Sequence, residues 1–283
     1  MKSTPTAVAI LIARAAPPEY RTIPPASLAE MTPALNSSPI GAAADWPRSN
    51  ADHASSRYSR LTQVNRSNVS RLQIAWTYHS YDGKGNLEAN PVIVGGILFA
   101  PTAGRAIVAI DGATGKELWR FHPEGRPAFR GLVHWPGNPD NPARLYFPSG
   151  DWLYAVDAKT GRPSPGFGDN GRVFGRATVA PAIYQDLVIL PCWNEVRAFD
   201  LLTGKSVWTF NLVPSPGEFG ADTWTARGFG ANSWGGMALD SARGIAYIST
   251  GSPHPNYLGF HHPGDNLFTD CVVALRARTG ERL

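Results

Sequence analysis

His254, His261 and His262 cluster around the Pro263-Gly-Asp-Asn266 stretch. An imidazole can act as a base or line a polar pocket near neutral pH. Their spacing matches no metal-binding pattern, so they read first as solvated loop histidines. The two cysteines, Cys192 and Cys271, form neither a CxxC nor a vicinal pair, which argues against zinc. A disulfide between them would require the fold to bring them close; two buried thiols is the simpler expectation. A loop-like stretch at about 211–235 holds Pro214, Pro216, Gly217, Gly220, Gly228, Gly230 and Gly235, together with Trp224 and Trp234. Loops this long in a compact domain usually have a function, and large aromatics are costly to leave in water without one.

These residues must be carried by something, and the chain repeats itself. Val108-Ala-Ile-Asp111 runs into Thr114-Gly115 and closes on Trp119. Tyr154-Ala-Val-Asp157 runs into Thr160-Gly161, and Arg197-Ala-Phe-Asp200 runs into Thr203-Gly204 and Trp208. Val273-Ala-Leu275 runs into Thr279-Gly280. An apolar strand, a Thr-Gly turn and a strand ending in Trp make a β-hairpin. The turn threonines are spaced by 46, 43 and 76 residues, so the last gap carries an insertion. A second set of hairpins lies between these, as in Pro91–Val94, Gly95-Gly96 and Ile97–Ala100, where the glycine pair suits a tight turn. Ala182–Tyr184 with Leu187–Leu190, and Gly236–Asp240 with Ile245–Ile248, repeat the scheme. Two hairpins per unit make a four-stranded blade, and about four such blades are expected of an all-β propeller. Leu72–Tyr78 alternates like a further strand, and Ser67 is placed to cap a short helical turn before it.

The chain has 283 residues, ample for a core, with a net charge of +4 and scattered basic residues. No basic run is interleaved with aromatics, which argues against nucleic acid as a partner. No segment reaches the roughly 20 apolar residues of a membrane helix. Residues 1–44, rich in Pro, Ala and Ser, read as a disordered or processed leader. Their short apolar run Ala7–Ala13 is as consistent with a poor export signal as with a plain extension. Residues 45–283 then form the partial propeller.

Several motifs, in shared order, resemble the quinoprotein dehydrogenases that use pyrroloquinoline quinone (PQQ), in their glucose dehydrogenase branch. They are Asp45-Trp-Pro47, Arg57-Tyr-Ser59, Leu61–Asn65, Ala75-Trp-Thr-Tyr78, Tyr154–Gly161 and Gly166–Gly171. More specific are Gly230-Ala-Asn-Ser-Trp-Gly-Gly236 and Thr250-Gly-Ser-Pro253 followed by Pro263–Phe268. The resemblance implies an eight-bladed propeller, of which this chain is about the N-terminal half, and oxidation of a sugar or alcohol CH–OH group in the periplasm. It implies that the Ala109/Trp119 and Ala198/Trp208 pairs lock neighbouring blades together.

The resemblance also implies roles. Trp234 matches the tryptophan under the cofactor ring, and its flanking glycines leave a flat face accessible. Arg130 matches an arginine on the quinone's carboxylates, a task that suits a guanidinium fork. Glu88 matches an acidic position beside the cofactor. For Ca2+, which takes oxygen ligands, the positions are Ser252, where alcohol-oxidising relatives carry Asn, and Glu195, the nearby candidate in a shortened loop. No residue matches the family's catalytic aspartate, so little activity is expected of this chain alone. A half-propeller would leave a blade edge open to the missing half or to self-association. The alternatives are a non-catalytic propeller scaffold, which needs only the blade repeats, and a pseudoenzyme.

Overall fold

A computed structural model describes residues 45–84, 87–225 and 230–283. The expected leader therefore lies outside the described residues. Among the described residues, fifteen strands form four antiparallel sheets. The first holds β1 (Val92–Val94), β2 (Ile97–Pro101), β3 (Ile107–Asp111) and β4 (Glu117–Phe121). The second holds β5 (Val133–Trp135), β6 (Arg144–Ser149), β7 (Trp152–Asp157) and β8 (Arg172–Phe174). The third holds β9 (Ala182–Tyr184), β10 (Leu187–Pro191), β11 (Glu195–Asp200) and β12 (Ser206–Asn211). The fourth has three strands, β13 (Met237–Asp240), β14 (Ile245–Ser249) and β15 (Val272–Arg276). Each sheet is a simple meander, and the first strands of successive sheets touch, β1 to β5, β5 to β9 and β9 to β13. These are successive blades of a propeller, as expected.

The core lies between blades. Phe99, Ile107 and Ala109 of the first sheet pack on Leu145, Phe147 and Val156 of the second. Tyr146 and Leu153 meet Val188, Leu190 and Phe199. Ile189, Val196 and Ala198 meet Met237, Ile248 and Leu275. Apolar residues thus line both faces of the middle sheets, and β6 and β10 are buried along their whole length.

The repeated turn has a local cause. Asp111 Oδ1 accepts from the backbone N–H of Thr114 at 2.8 Å and from its hydroxyl at 2.8 Å. Asp157 holds Thr160 in the same way at 2.7 and 2.8 Å, and Asp200 holds Thr203 at 2.7 and 2.7 Å. The following glycines take the left-handed backbone, with φ of 74° at Gly115, 70° at Gly161 and 71° at Gly204.

The tryptophans lock neighbouring blades, but not through the alanines the resemblance implied, which lie in the same sheet as their tryptophans. Trp119 sits opposite Ala109 within its own sheet, and Trp208 opposite Ala198. Across the boundary, Trp119 Nε1 donates to Ala158 O at 3.1 Å, and Trp208 Nε1 donates to Ala277 O at 3.2 Å. Each indole lies against the turn glycine of the next blade, Gly161 or Gly280. Between the second and third sheets the turn glycine Gly204 is covered by Phe167 and Val173 instead.

Two local expectations need correction. Leu72–Tyr78 is extended but belongs to no sheet, because no strand among the described residues lies beside it. It is held by Trp76, whose Nε1 donates to Gly112 O at 3.0 Å and whose ring covers Gly115. That is how Trp119 and Trp208 dock, so Trp76 occupies the place of an outer-strand tryptophan. The short turn is a 3-10 turn, Val69–Arg71, and Ser67 does not cap it. The polar anchor is the Asn65 side chain, which accepts from Ser67 N at 2.9 Å.

One segment ties the blades at their inner edge. Trp46 pairs with Ile93 of β1, and His134 N of β5 donates to Pro47 O at 2.7 Å. The Arg48 side chain, 1% exposed, donates to Pro181 O at 2.9 Å, Ala180 O at 3.1 Å and Met237 O at 3.1 Å. Leu239 N of β13 donates to His53 O at 2.8 Å. Eight residues of chain therefore reach all four sheets. A guanidinium fork suits this position because its donors spread in one plane toward several carbonyls. Burial lowers the Arg48 pKa to about 10, against the opposing pull of Asp52.

Candidate functional site

The connection from each outer strand to the next blade's first strand arrives at the inner edge. Residues just before β1, β5, β9 and β13 therefore gather at one end of the blades. Glu88 precedes β1, Arg130 precedes β5, Thr178 precedes β9 and Trp234 precedes β13. The connections are tied to one another: Asn90 N donates to Phe129 O at 3.3 Å, and Arg130 bridges to Val179.

A cleft of about 400 Å³ opens there, a size usual for small-molecule sites. Trp234, Arg130, Arg126, Arg176, Trp193 and Thr178 are among its walls. The structure thus brings Trp234 and Arg130 together. Glu88 stands beside Arg130, with 3.6 Å between carboxylate and guanidinium. Both side chains are about half exposed or more, so this pair contributes little by itself. Trp234 is 67% exposed, unusual for an indole, while Gly251 backs its Nε1 edge. A β-carbon at Gly251 would come within 3.1 Å of Nε1, so glycine there lets the ring lie flat on the chain.

Arg126 and Arg176 escape sequence reasoning. Arg126 lies over the Phe129 ring at 4.5 Å and Arg176 over the Trp193 ring at 4.4 Å. Arg176 also faces Asp151 at 3.6 Å. Three guanidiniums thus share one cleft, while Glu88 and Asp151, which face Arg130 and Arg176, are not among its walls. The signal was there to find: a Gly-Arg pair, Gly125-Arg126 and Gly175-Arg176, recurs in consecutive inter-blade connections. An aromatic face ringed by guanidiniums is suited to a flat polyanion. The aromatic offers stacking area, and the forks offer charge-assisted hydrogen bonds to carboxylates. The residues present therefore fit PQQ.

The metal candidates are placed differently. Ser252 lines a second cleft that Trp234 also walls, and its hydroxyl donates to Asp270 Oδ1 at 3.1 Å. Glu195 lies on β11, where Arg197 holds its carboxylate at 2.6 Å, and it lines neither cleft. Among the described residues no three His, Cys, Asp or Glu side chains are grouped for a metal. Calcium needs six to eight oxygens. Ser252 and Asp270 supply a beginning and not a complete set, so no chemistry is derived through a metal.

Trp224 lines none of these clefts. It is half-buried, and its Nε1 donates to Leu267 O at 2.5 Å, which makes it a brace between two loops. His254 and His262 face the second cleft and its continuation, while His261 packs at a tilt on Phe260, ring centroids 4.0 Å apart. Both cysteines are free thiols. Burial pushes Cys192 up to about 12, which makes it inert.

Comparison with known proteins agrees with this architecture. The family described as "PQQ: Glucose/ethanol/alcohol dehydrogenase, beta-propeller domain" matches residues 46–283. The dehydrogenase subunit of a quinone alcohol dehydrogenase from Gluconacetobacter polyoxogenes is 31% identical, across 84% of this chain and 37% of that protein. Quinoprotein glucose dehydrogenase A of Acinetobacter calcoaceticus is 27% identical, across 85% of this chain and 37% of its own length. The crystal structure of a quinohemoprotein alcohol dehydrogenase from Comamonas testosteroni superposes with a TM-score of 0.68 at 29% identity, covering 84% of this chain and 40% of that one. The chain thus spans about two fifths of these relatives. With blades, docking tryptophans and family match all in agreement over the same residues, the chain belongs to the PQQ-dependent glucose/ethanol/alcohol dehydrogenase β-propeller family.

Proposed function

We propose that this chain forms the cofactor-binding part of a PQQ-dependent dehydrogenase that oxidises a CH–OH group of an alcohol or sugar, and that it works in the periplasm. The observation that carries the reading is the convergence of the exposed Trp234 indole with Arg126, Arg130 and Arg176 on one cleft. When bound, PQQ supplies a two-electron quinone acceptor. Trp234 gives the ring a face to stack on, and the three arginines neutralise its carboxylates. Arg130 and Arg176 face Glu88 and Asp151 only loosely, at 3.6 Å each, which leaves their guanidiniums free to turn to those carboxylates. A bare blade scaffold has no need of an exposed tryptophan within a ring of guanidiniums, which sets the scaffold reading second.

The test is titration of the purified 283-residue chain with PQQ, followed by tryptophan fluorescence. Saturable quenching is expected. Trp234→Ala should abolish most of it, and Arg130→Ala should weaken binding about tenfold, the loss of one charge-assisted contact. Dye reduction with glucose or ethanol should be negligible, since a missing general base alone costs about 10²–10⁴ in rate. Unchanged quenching in Trp234→Ala would sink the assignment of the cleft. Robust turnover would show that a base has been overlooked in residues 45–283.

A further inference from the structure

Arg176 reaches the arginine cleft because of how two turns meet. Gly175 follows β8 directly, and a β-carbon there would stand 2.9 Å from Leu190 Cδ2, so this connection lies close on β10. β10 and β11 are joined only by Cys192, Trp193 and Asn194, and Cys192 N donates to Glu195 O at 2.8 Å. That short turn carries Trp193 to the same wall, where the Arg176 guanidinium lies 4.4 Å over its ring. A guanidinium stacked on an aromatic face keeps its charge and uses none of its in-plane donors.

The oxygens that calcium would need are engaged elsewhere. The Glu195 carboxylate stands 2.6 Å from Arg197 Nε, and Arg197 Nη1 donates to Phe174 O of β8 at 3.4 Å, so the pair is turned to the preceding blade. Ser252 lines the other cleft and gives its proton to Asp270. Among the described residues, no wall of the arginine cleft is a carboxylate and three are guanidiniums. A divalent cation entering it would meet like charge and find no anionic ligand from the chain.

We propose that this cleft binds PQQ without a divalent metal, and that Arg176, seated on Trp193, carries the positive charge that calcium would otherwise bring to the cofactor. This rests on the cofactor reading above and adds to it which residue supplies the cation. An arginine charge belongs to the chain: it needs no free ion and survives chelation. Its fork bonds anionic oxygens with two parallel donors, a geometry that a spherical ion does not impose. Asp151 faces it only at 3.6 Å, so a cofactor oxygen has little to displace. Trp193 is the positioning residue, since its ring fixes the plane in which the fork lies.

The test is PQQ titration of the 283-residue chain by tryptophan fluorescence, once in EGTA and once in millimolar calcium chloride. The two midpoints should agree within about twofold, whereas a site built on calcium would bind roughly tenfold or more weakly in EGTA. Arg176→Ala should weaken PQQ about tenfold in both media and flatten the dependence on sodium chloride, a change that a merely loosened turn would not produce. Arg176→Lys, which keeps the charge but not the fork, should restore the salt dependence and only part of the affinity. Trp193→Phe should bind nearly as well as the parent, and Trp193→Ala severalfold less. Glu195→Gln should leave the midpoint unchanged. Binding that appears only with calcium, binding that falls in Glu195→Gln, or Arg176→Ala behaving like the parent would overturn the proposal while keeping the cofactor reading. No PQQ binding in either medium would sink both.

Discussion

Trp119 and Gly161 meet across the boundary between the first two blades, and the contact leaves no room for another atom. A β-carbon on Gly161 would stand 2.5 Å from Trp119 Cε3. The same relationship joins Trp208 to Gly280, again at 2.5 Å, and Trp76 to Gly115 at 2.7 Å.

Gly161→Ala should therefore cost about 2–4 kcal/mol, combining overpacking with a left-handed backbone at φ 70°. Gly166→Ala is the control. Its φ is 79°, but nothing lies within 4 Å, so only the backbone cost of about 1–2 kcal/mol applies. Urea unfolding of the two variants checks the difference. Equal losses would mean that the indole yields and the lock is looser than described.

Arg48→Ala strands the carbonyls of Ala180 and Pro181 in the interior and leaves Met237 O to the Ser55 hydroxyl alone. A loss of about 3–5 kcal/mol is expected, in the range for breaking a buried, fully bonded charge. Arg48→Lys should recover little, because an ammonium cannot reach carbonyls on two sheets in one plane. Hydrogen exchange should show β9 and β13 losing protection together. Independent behaviour of the two strands would show that Arg48 does not couple them.

Acid should weaken the same region. His53 is lowered from 6.5 to about 4, first by burial and then by the Arg48 charge, with Asp52 opposing. His134 is lowered to about 4 by burial, with Asp45 opposing. Both rings stay neutral in the folded chain where the unfolded chain already binds protons. Stability should therefore fall as the pH drops from about 6.5 to about 4 and level off below, by at most about 3 kcal/mol per ring. Denaturation midpoints measured between pH 4 and 8 test this. His53→Gln and His134→Phe should each flatten the slope in that window; an unchanged slope in both would place the acid sensitivity elsewhere.

What could be read from the sequence was what is caused locally. The Thr-Gly turns were legible because Asp111, Asp157 and Asp200 fold them through bonds within three residues. The Gly95-Gly96 hairpin was legible because both residues need positive φ, 57° and 79°. Leu72–Tyr78 misled because alternation specifies a strand's faces and not its neighbour. Trp234 and Arg130 were found through motif likeness. Arg126, Arg176 and Trp193 were not, because their meeting depends on which inter-blade connections converge. Arg48 was silent for a related reason: its partners are backbone carbonyls, which carry no residue signature.

The reach of Arg48 also sets a timetable. Its carbonyl partner at Met237 lies 189 residues further along the chain. At roughly 5–20 residues per second, translation delivers that partner on the order of 10–40 s after Arg48 itself. The berths at Ile93 and His134 are made first, Pro181 later and Met237 last. The segment is thus laid down blade by blade in the order of synthesis, and for much of that time a nascent guanidinium waits for carbonyls not yet made.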